Sequence, residues 1–126
     1  MGNTEQNRTM ITLTGEPKSN NHLYKFHCKF GFPSGYLCAE GKKLKEDYGW
    51  QAKSQWKGGV QEGKLSVAIN LYFKSKIHHD IDNYGKLLLD SLTGICYTDD
   101  RQIEQMMVTK YHDAKNPRIE IEILNL

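Results

Sequence analysis

The sequence has little cysteine and no long apolar run, and each absence excludes a class of protein. Its three cysteines are odd in number and far from any CxxC spacing: Cys28, Cys38 and Cys96. Neither a disulfide framework nor a zinc knuckle is therefore expected. No apolar run approaches the roughly 20 residues that span a membrane, and the opening stretch MGNTEQNRT lacks the apolar core of a signal peptide. We expect a cytoplasmic protein.

The length and composition predict a single domain. A chain of 126 residues with 38% hydrophobic content can fill one modest core and leaves little for a second. The first eight residues are polar and predict a flexible tail, so that the domain would comprise residues 9–126.

The small net charge of +2 conceals an asymmetry along the chain. Residues 1–79 hold twelve Lys and Arg against six Asp and Glu, whereas residues 80–126 hold five against nine. A basic first half indicates a surface for a polyanion, and an acidic second half would repel the same partner. A bound divalent cation would offset that repulsion.

The first half of the chain predicts three strands and a helix. TMITLTGEP indicates a first strand that ends at a Gly and Pro break. LYKFHCKFGF alternates aromatic residues with cations, as a half-buried strand does, and FPSG predicts a turn before the returning strand YLCAE. From Ala39 to Lys57 apolar residues recur every four positions, which is typical of an amphipathic helix; they are Leu44, Tyr48, Ala52 and Trp56.

The second half predicts three strands and a second helix. KLSVAINLYF alternates over ten positions and is the clearest strand of the sequence. Residues Asn83 to Leu92 carry apolar side chains at helical spacing, and Thr93 and Gly94 end that helix. QIEQMMVTKYH, whose pattern is mixed, and RIEIEIL, whose pattern alternates, predict the last two strands.

Acidic residues crowd the segment HHDIDNYGKLLLD and the later TDDRQ. If Asp82 begins the second helix, Asp82, Lys86 and Asp90 lie along one helix face, and Asp80 in extended chain can point to the same side. Helix capping would explain Asp82. It would not also explain Asp80 and the acids of TDDRQ, Asp99 and Asp100.

Two near-adjacent aspartates, joined by a third from a distant strand, are what a hard cation such as Mg²⁺ requires. Lys86 would then hold the scissile phosphate or the leaving oxygen. The alternative for Lys86 is an ordinary ion pair with Asp82 or Asp90. The five histidines are scattered apart from His78 and His79, so solvent-facing histidines are expected rather than a zinc site.

The basic residues of the first half leave two interpretations open. Lys25 and Lys29 would lie on one face of their strand, where they could bind DNA phosphates. The alternative is that this face is simply exposed to solvent. The stretch from Ser19 to Asn21 could hydrogen-bond phosphate, or form a turn, and the turn is favoured.

Several motifs together resemble one family. They are HDIDNYGKLLLDSLTGICYTDDRQI, PKSNNHLYK near the start and KNPRIEIEI near the end. An Asp-x-Asp-Asn pair that opens a helix, a Lys four residues on, Leu-x-Gly, and then an Asp-Asp-x-Gln-Ile strand resemble the RusA family of Holliday junction resolvases. The resemblance spans about residues 11–124, and its specific part is residues 80–103.

The resemblance implies a fold, a reaction and site residues. The fold would be α+β, a single RusA-like domain with a small mixed sheet and two main helices, assembled as a homodimer. The essential, metal-binding acids would be Asp80, Asp82 and Asp100, with Lys86 as the catalytic lysine. Asp90 and Asp99 would be supporting acids.

The expected DNA contacts depart from the family at one position. The resemblance implies an arginine tied to DNA binding at this position in the best-known member, and this chain has His79 there. Affinity for DNA would therefore lean more on Lys25, Lys29, Lys74 and Lys76, with His79 as a further DNA-binding candidate.

The function implied is Mg²⁺-dependent cleavage of four-way DNA junctions in recombination and repair, with Mn²⁺ as a possible substitute for Mg²⁺. The nicks would be paired and symmetric, with 5′-phosphate and 3′-hydroxyl ends. The alternative is a non-cleaving binder of branched DNA that keeps the metal site as a structural element. Exposed apolar residues would supply a dimer surface, and the candidates are Phe30, Phe32, Trp50 and Trp56.

Overall fold

The computed structural model describes residues 10–29, 32–76 and 79–126, without the side chains of residues 21, 22, 25–29 and 32–35. The predicted tail, residues 1–8, and the dimer-surface candidate Phe30 lie outside the described residues. Of the other candidates in the first half, the side chains of Phe32, Lys25 and Lys29 are likewise not described.

Six strands and three helices follow one another along the described chain, with two short 3₁₀ turns. The elements are β1 (Met10–Thr14), α1 (Asn20–Leu23), β2 (Tyr24–Lys29), β3 (Phe32–Leu37), α2 (Ala39–Gln55), β4 (Leu65–Phe73), a first 3₁₀ turn (Ile81–Asn83), α3 (Lys86–Leu92), a second 3₁₀ turn (Asp100–Gln102), β5 (Ile103–His112) and β6 (Arg118–Asn125). Both main helices and five of the six predicted strands are therefore present, whereas the predicted returning strand YLCAE is displaced: β3 spans Phe32–Leu37, and Ala39 and Glu40 begin α2.

The strands form one mixed sheet and one hairpin. The sheet has the order β1-β6-β4-β5, and β2 pairs with β3 separately. β4 and β5 run parallel, while β6 is antiparallel to both β1 and β4. A parallel pair needs a crossover connection, and here the crossover is the acidic segment with α3. The predicted α+β class with a small mixed sheet and two main helices is confirmed.

The core lies between one face of the sheet and the helices α2 and α3. β4 buries every second residue from Leu65 to Phe73, and β6 does the same from Ile119 to Ile123. The predicted apolar helix positions Tyr48 and Ala52 are buried in the same cluster. β5 lies at the sheet edge and is mostly exposed, which explains its mixed sequence pattern.

Side chains of α2 cover the free edge of β1. The Gln55 amide nitrogen donates to the Thr12 carbonyl over 2.7 Å, and the Gln55 amide oxygen accepts from the Thr12 N–H over 2.8 Å. Gln51 accepts from the Thr14 N–H over 2.9 Å. An edge strand whose backbone groups are paired in this way is less able to add a foreign strand.

Three local predictions were wrong. FPSG is not a turn, because Phe32 already pairs with Lys29 and Pro33 with Cys28; a two-stranded hairpin has a free edge on each strand, where a proline is tolerated. The second helix begins at Lys86 rather than Asn83, since a separate 3₁₀ turn precedes it.

The third error concerns the dimer-surface candidate Trp56, which is only 8% exposed. Its indole N–H donates to the Gly59 carbonyl over 2.6 Å, so it belongs to the core. Trp50, by contrast, is 67% exposed. Within the described residues, no helix has the length and apolar character needed to span a membrane.

Candidate active site

The acidic segment lies where the crossover from β4 returns to the sheet. The first 3₁₀ turn packs against β5, and Gly85 then precedes α3. A Cβ at Gly85 would approach the Met106 methyl group to 3.9 Å, which shows how closely this connection runs beside β5. The acids of the turn are thus carried on a short irregular stretch held between two regular elements.

Asp80 and Asp82 form one group of acids. Both are exposed. The nearby Asp80 side chain, through its contact with Asp82 and through its charge, raises the pKa of Asp82. Two carboxylates held this close repel each other, and a bound cation would relieve that repulsion. Exposed aspartate oxygens are also ligands that a hard divalent cation accepts.

Asp99 belongs to a second group and has a structural partner. Its carboxylate accepts from the Arg101 N–H over 2.9 Å and from the Arg101 guanidinium over 3.0 and 3.2 Å. In return, the Gln102 amide oxygen accepts from the Asp99 N–H over 2.8 Å, which completes a capping box. The bonds from Arg101 lower the pKa of Asp99. Capping therefore accounts for Asp99, so the expectation that capping would not explain this acid was wrong.

Asp100 shares the second group but lacks such partners. Partial burial, and then the nearby Asp99 side chain and its charge, raise the pKa of Asp100. Asp90 raises the pKa of Asp100 further and Lys86 lowers it, so both charges lie near this carboxyl. Asp90 and Lys86 form an ion pair of 3.7 Å between the Lys86 ammonium and an Asp90 carboxylate oxygen.

The predicted helix face of Asp82, Lys86 and Asp90 is only partly present. Lys86 and Asp90 are one turn apart on α3 and form the ion pair. Asp82 lies on the separate 3₁₀ turn and contacts Asp80 instead. The reason is the break at Tyr84 and Gly85, which interrupts the helical repeat.

The three predicted metal ligands are therefore not gathered in one place. Among the described residues, no group of three or more His, Cys, Asp or Glu side chains is placed to hold a metal ion. Asp80 and Asp82 lie together, and Asp100 lies with Asp99. The chemistry of the Asp80 and Asp82 pair fits a divalent cation, and the assignment of Asp100 as a third ligand stays a prediction.

His79 is packed rather than solvent-facing, contrary to the expectation for the histidines. Its ring stacks on Phe73 with centroids 3.8 Å apart and planes 7° apart, and its Nδ1 lies 3.2 Å from the Tyr84 hydroxyl. Its Nε2 is buried and has no hydrogen-bond partner in the described part of the chain. The Lys110 ammonium donates to the His79 carbonyl over 2.8 Å. These contacts favour a positioning role for His79 over the predicted DNA contact.

Lys74 and Lys76 follow the end of β4 and are exposed. The Lys74 N–H donates to Glu16 over 2.8 Å, which leaves its ammonium group out of that contact. Lys76 lines a pocket of about 360 Å³ that also includes His79, Lys110 and His112. This basic pocket adjoins Asp80 along the chain. Lys25 and Lys29 lie on β2, and their expected phosphate contacts stay a prediction.

Sequence reasoning missed several residues that surround the acids. Tyr24 donates its hydroxyl to an Asp90 oxygen over 2.8 Å, and Asn20 accepts from the Leu87 N–H over 3.4 Å. The latter contact gives the Ser19 to Asn21 stretch a structural use in α1. Each pair is separated by more than 60 residues, so no local pattern could have revealed it.

One family of known proteins is similar to most of the chain. The model of the family described as Endodeoxyribonuclease RusA matches residues 15–124. That range covers most of the chain and includes both groups of acids, Lys86 and β5. None of the curated proteins matches the chain.

Proposed function

Since the chain belongs to the RusA family of endodeoxyribonucleases, an enzyme family that acts on Holliday junctions in recombination, we propose that it resolves four-way DNA junctions with Mg²⁺. We propose further that it acts as a homodimer that makes paired, symmetric nicks, and that it works in the cytoplasm. The observation that best supports a divalent cation is the exposed pair Asp80 and Asp82, whose mutual contact raises the pKa of Asp82.

The cation would be held by Asp80, Asp82 and Asp100. When bound, a divalent cation supplies positive charge that stabilises the pentavalent phosphorus and lowers the pKa of a nearby water. Asp80 and Asp82 are exposed, so a DNA phosphate can approach them. Asp90 and Asp99 are supporting acids in this proposal, and the capping box supports that role for Asp99.

Lys86 would serve the leaving group. Hydrolysis joins a water oxygen to phosphorus, breaks the bond from phosphorus to the 3′ oxygen, and returns a proton to that oxygen. The products are a 5′-phosphate and a 3′-hydroxyl. The Lys86 side chain is 60% exposed, so its ammonium can reach a bound phosphate and stabilise the negative charge that develops on the 3′ oxygen.

A dimer follows from the symmetry of the substrate. A four-way junction offers two equivalent strands, and a twofold dimer presents two copies of one acid group related by the same operation. Exposed Trp50 remains a candidate for the dimer surface. The DNA contacts would come from Lys25, Lys29, Lys74 and Lys76, with phosphates as their targets.

The test is incubation of a labelled synthetic four-way junction with and without Mg²⁺, beside a linear duplex of the same sequence. We expect nicks at matching positions on opposing strands, only with the cation, and a protein that sediments as a dimer at micromolar concentration. Binding without any cleavage would favour the alternative, a branched-DNA-binding protein with a structural metal. A monomer that cuts duplex and junction alike would remove the resolvase proposal and leave a metal-dependent nuclease.

A further inference from the structure

Tyr24 reaches from the start of β2 to α3 and contacts one acid there. Its hydroxyl donates to an Asp90 carboxylate oxygen over 2.8 Å, across 66 residues of sequence. Burial, and then the hydrogen bond to Asp90, raise the pKa of Tyr24, so the hydroxyl keeps its proton and stays a donor at neutral pH. The Asp90 side chain is 31% exposed, so this contact is partly shielded from water.

Lys86 lies against both members of this pair. Its ammonium is 3.7 Å from the same Asp90 oxygen and 5.0 Å from the centre of the Tyr24 ring. A lysine side chain this exposed samples many rotamers when it has no partner, and an exposed ion pair adds little stability by itself. The effect of Asp90 and Tyr24 is therefore to restrict where the ammonium lies.

The segment that carries Tyr24 is itself firmly placed. Leu23 is fully buried, and its carbonyl accepts from the Cys38 N–H over 2.9 Å. A Cβ at Gly41 would come within 2.9 Å of that carbonyl oxygen, so α2 packs closely on this segment. The contact from Asn20 to the Leu87 N–H ties the same segment to the first turn of α3. A rigid support of this kind can hold a side chain at a defined place.

From these contacts we infer that Tyr24 is a positioning residue. Its hydroxyl orients Asp90, and Asp90 and the Tyr24 ring together restrict the position of the Lys86 ammonium. This inference rests on the proposed function, because it assigns a use to the position of the proposed catalytic lysine. The competing explanation is that Tyr24 only packs the hairpin against α3.

The experiment combines Tyr24→Phe with Lys86→Ala in the full chain. Tyr24→Phe keeps the ring and removes only the hydrogen bond to Asp90. The matched control is Tyr72→Phe, which removes a tyrosine–carboxylate bond to Glu120 of 3.1 Å on β4, where the Tyr72 ring contacts Tyr111 and Arg118. Single-turnover cleavage of a four-way junction with Mg²⁺, affinity measured without metal, and the melting temperature are recorded for each variant.

We expect Tyr24→Phe to slow cleavage by about tenfold, the usual effect of losing a hydrogen bond to a charged group, with affinity unchanged. In the Lys86→Ala background the same change should have no further effect, because the lysine to be positioned is absent. Asp90→Asn should behave like Tyr24→Phe, and Tyr72→Phe should cleave like the wild type. The inference would be overturned if Tyr24→Phe slowed cleavage as much in the Lys86→Ala background as it does alone. A Tyr24→Phe variant that cleaves at the wild-type rate would overturn it as well.

A second readout does not depend on cleavage. Carbon-13 relaxation of the Lys86 side chain, in protein labelled at lysine, reports the motion of that side chain directly. We expect Tyr24→Phe to increase this motion and Tyr72→Phe to leave it unchanged. An unaltered Lys86 side chain would overturn the positioning role, whereas an immobilised lysine in a protein that cleaves no junction would contradict the proposed function alone.

Discussion

The two groups of acids differ in what surrounds them. Asp99 receives hydrogen bonds from Arg101 and caps a 3₁₀ turn, and its pKa is lowered. Asp82 lies beside the like charge of Asp80, and its pKa is raised. Neighbouring aspartates can therefore have opposite roles: Asp99 stabilises its own backbone turn, whereas Asp80 and Asp82 hold repelling charges that the described residues do not neutralise. Repelling charges of this kind mark candidate functional sites.

The largest expected effect comes from removing the proposed metal ligands one at a time. Asp80→Asn, Asp82→Asn and Asp100→Asn should each slow junction cleavage by at least roughly a hundredfold, comparable to the loss of one strong electrostatic contact. Affinity for DNA should persist or improve, since a negative charge has gone. Asp99→Asn should slow cleavage far less, because Asn still caps a turn. Single-turnover kinetics with Mg²⁺ measures all four, and a variant with the wild-type rate would exclude its residue from the site.

The second prediction concerns the basic hairpin rather than the acids. Removing Lys25 and Lys29 together should flatten the dependence of log K on log salt by about one or two units, because each lost phosphate contact removes nearly one unit of slope. Replacing Lys42 and Lys45, which are exposed on α2, removes the same charge elsewhere and is the matched control. Equal slopes for the hairpin variant and the wild type would show that the hairpin face is only solvated.

A smaller effect is expected at His79, which precedes Asp80. His79→Phe preserves the stack on Phe73 and loses the contact with the Tyr84 hydroxyl. We expect a decrease in cleavage rate of less than about tenfold, with the salt dependence of binding unchanged. Tyr84→Phe should have the same effect, and the double variant should be no slower. A flatter salt slope for His79→Phe would instead support the predicted DNA contact.

The smallest expected effect is on the melting temperature, and it distinguishes Asp82 from Asp99 most clearly because the two changes should have opposite signs. In metal-free protein, Asp82→Ala should raise the melting temperature by a few degrees, since it removes a repulsion, and Asp99→Ala should lower it, since it removes a cap.

The pH dependence follows from the directions of the pKa shifts. The charge of Asp82 lowers the stability of the folded protein, and this loss appears as pH rises through the raised pKa of Asp82. The charge of Asp99 stabilises the folded protein above the ordinary pKa of an aspartate, and this stabilisation is lost as pH falls through the lowered pKa of Asp99. As the pH is lowered, the increase in melting temperature caused by Asp82→Ala should therefore vanish at a higher pH than the decrease caused by Asp99→Ala. Thermal unfolding across pH measures this, and equal signs for the two variants would refute the distinction between the groups.

The regular elements could be predicted from the sequence because their signal is local. Alternating residues from Leu65 to Phe73 and from Arg118 to Leu124 predicted strands, and strands are found there. The four-residue spacing from Leu44 to Trp56 predicted the helix α2. A period of two or of 3.6 follows directly from backbone geometry, and one buried face reveals it. The acids and Lys86 were also recognised by spacing and by their resemblance to the family.

The tertiary structure alone decided how those residues are arranged. The sequence does not reveal that Asp80 and Asp82 are one group and Asp99 and Asp100 another, or that the His79 ring packs on Phe73. Nor does it reveal that Tyr24 meets Asp90 66 residues away. These distances depend on the path of the chain between the elements, and a contact between distant segments leaves no periodic pattern in either of them. Residue spacing therefore identified the chemical groups, while the packing of α3 against the segment from Asn20 to Tyr24 determined which of those groups can act together.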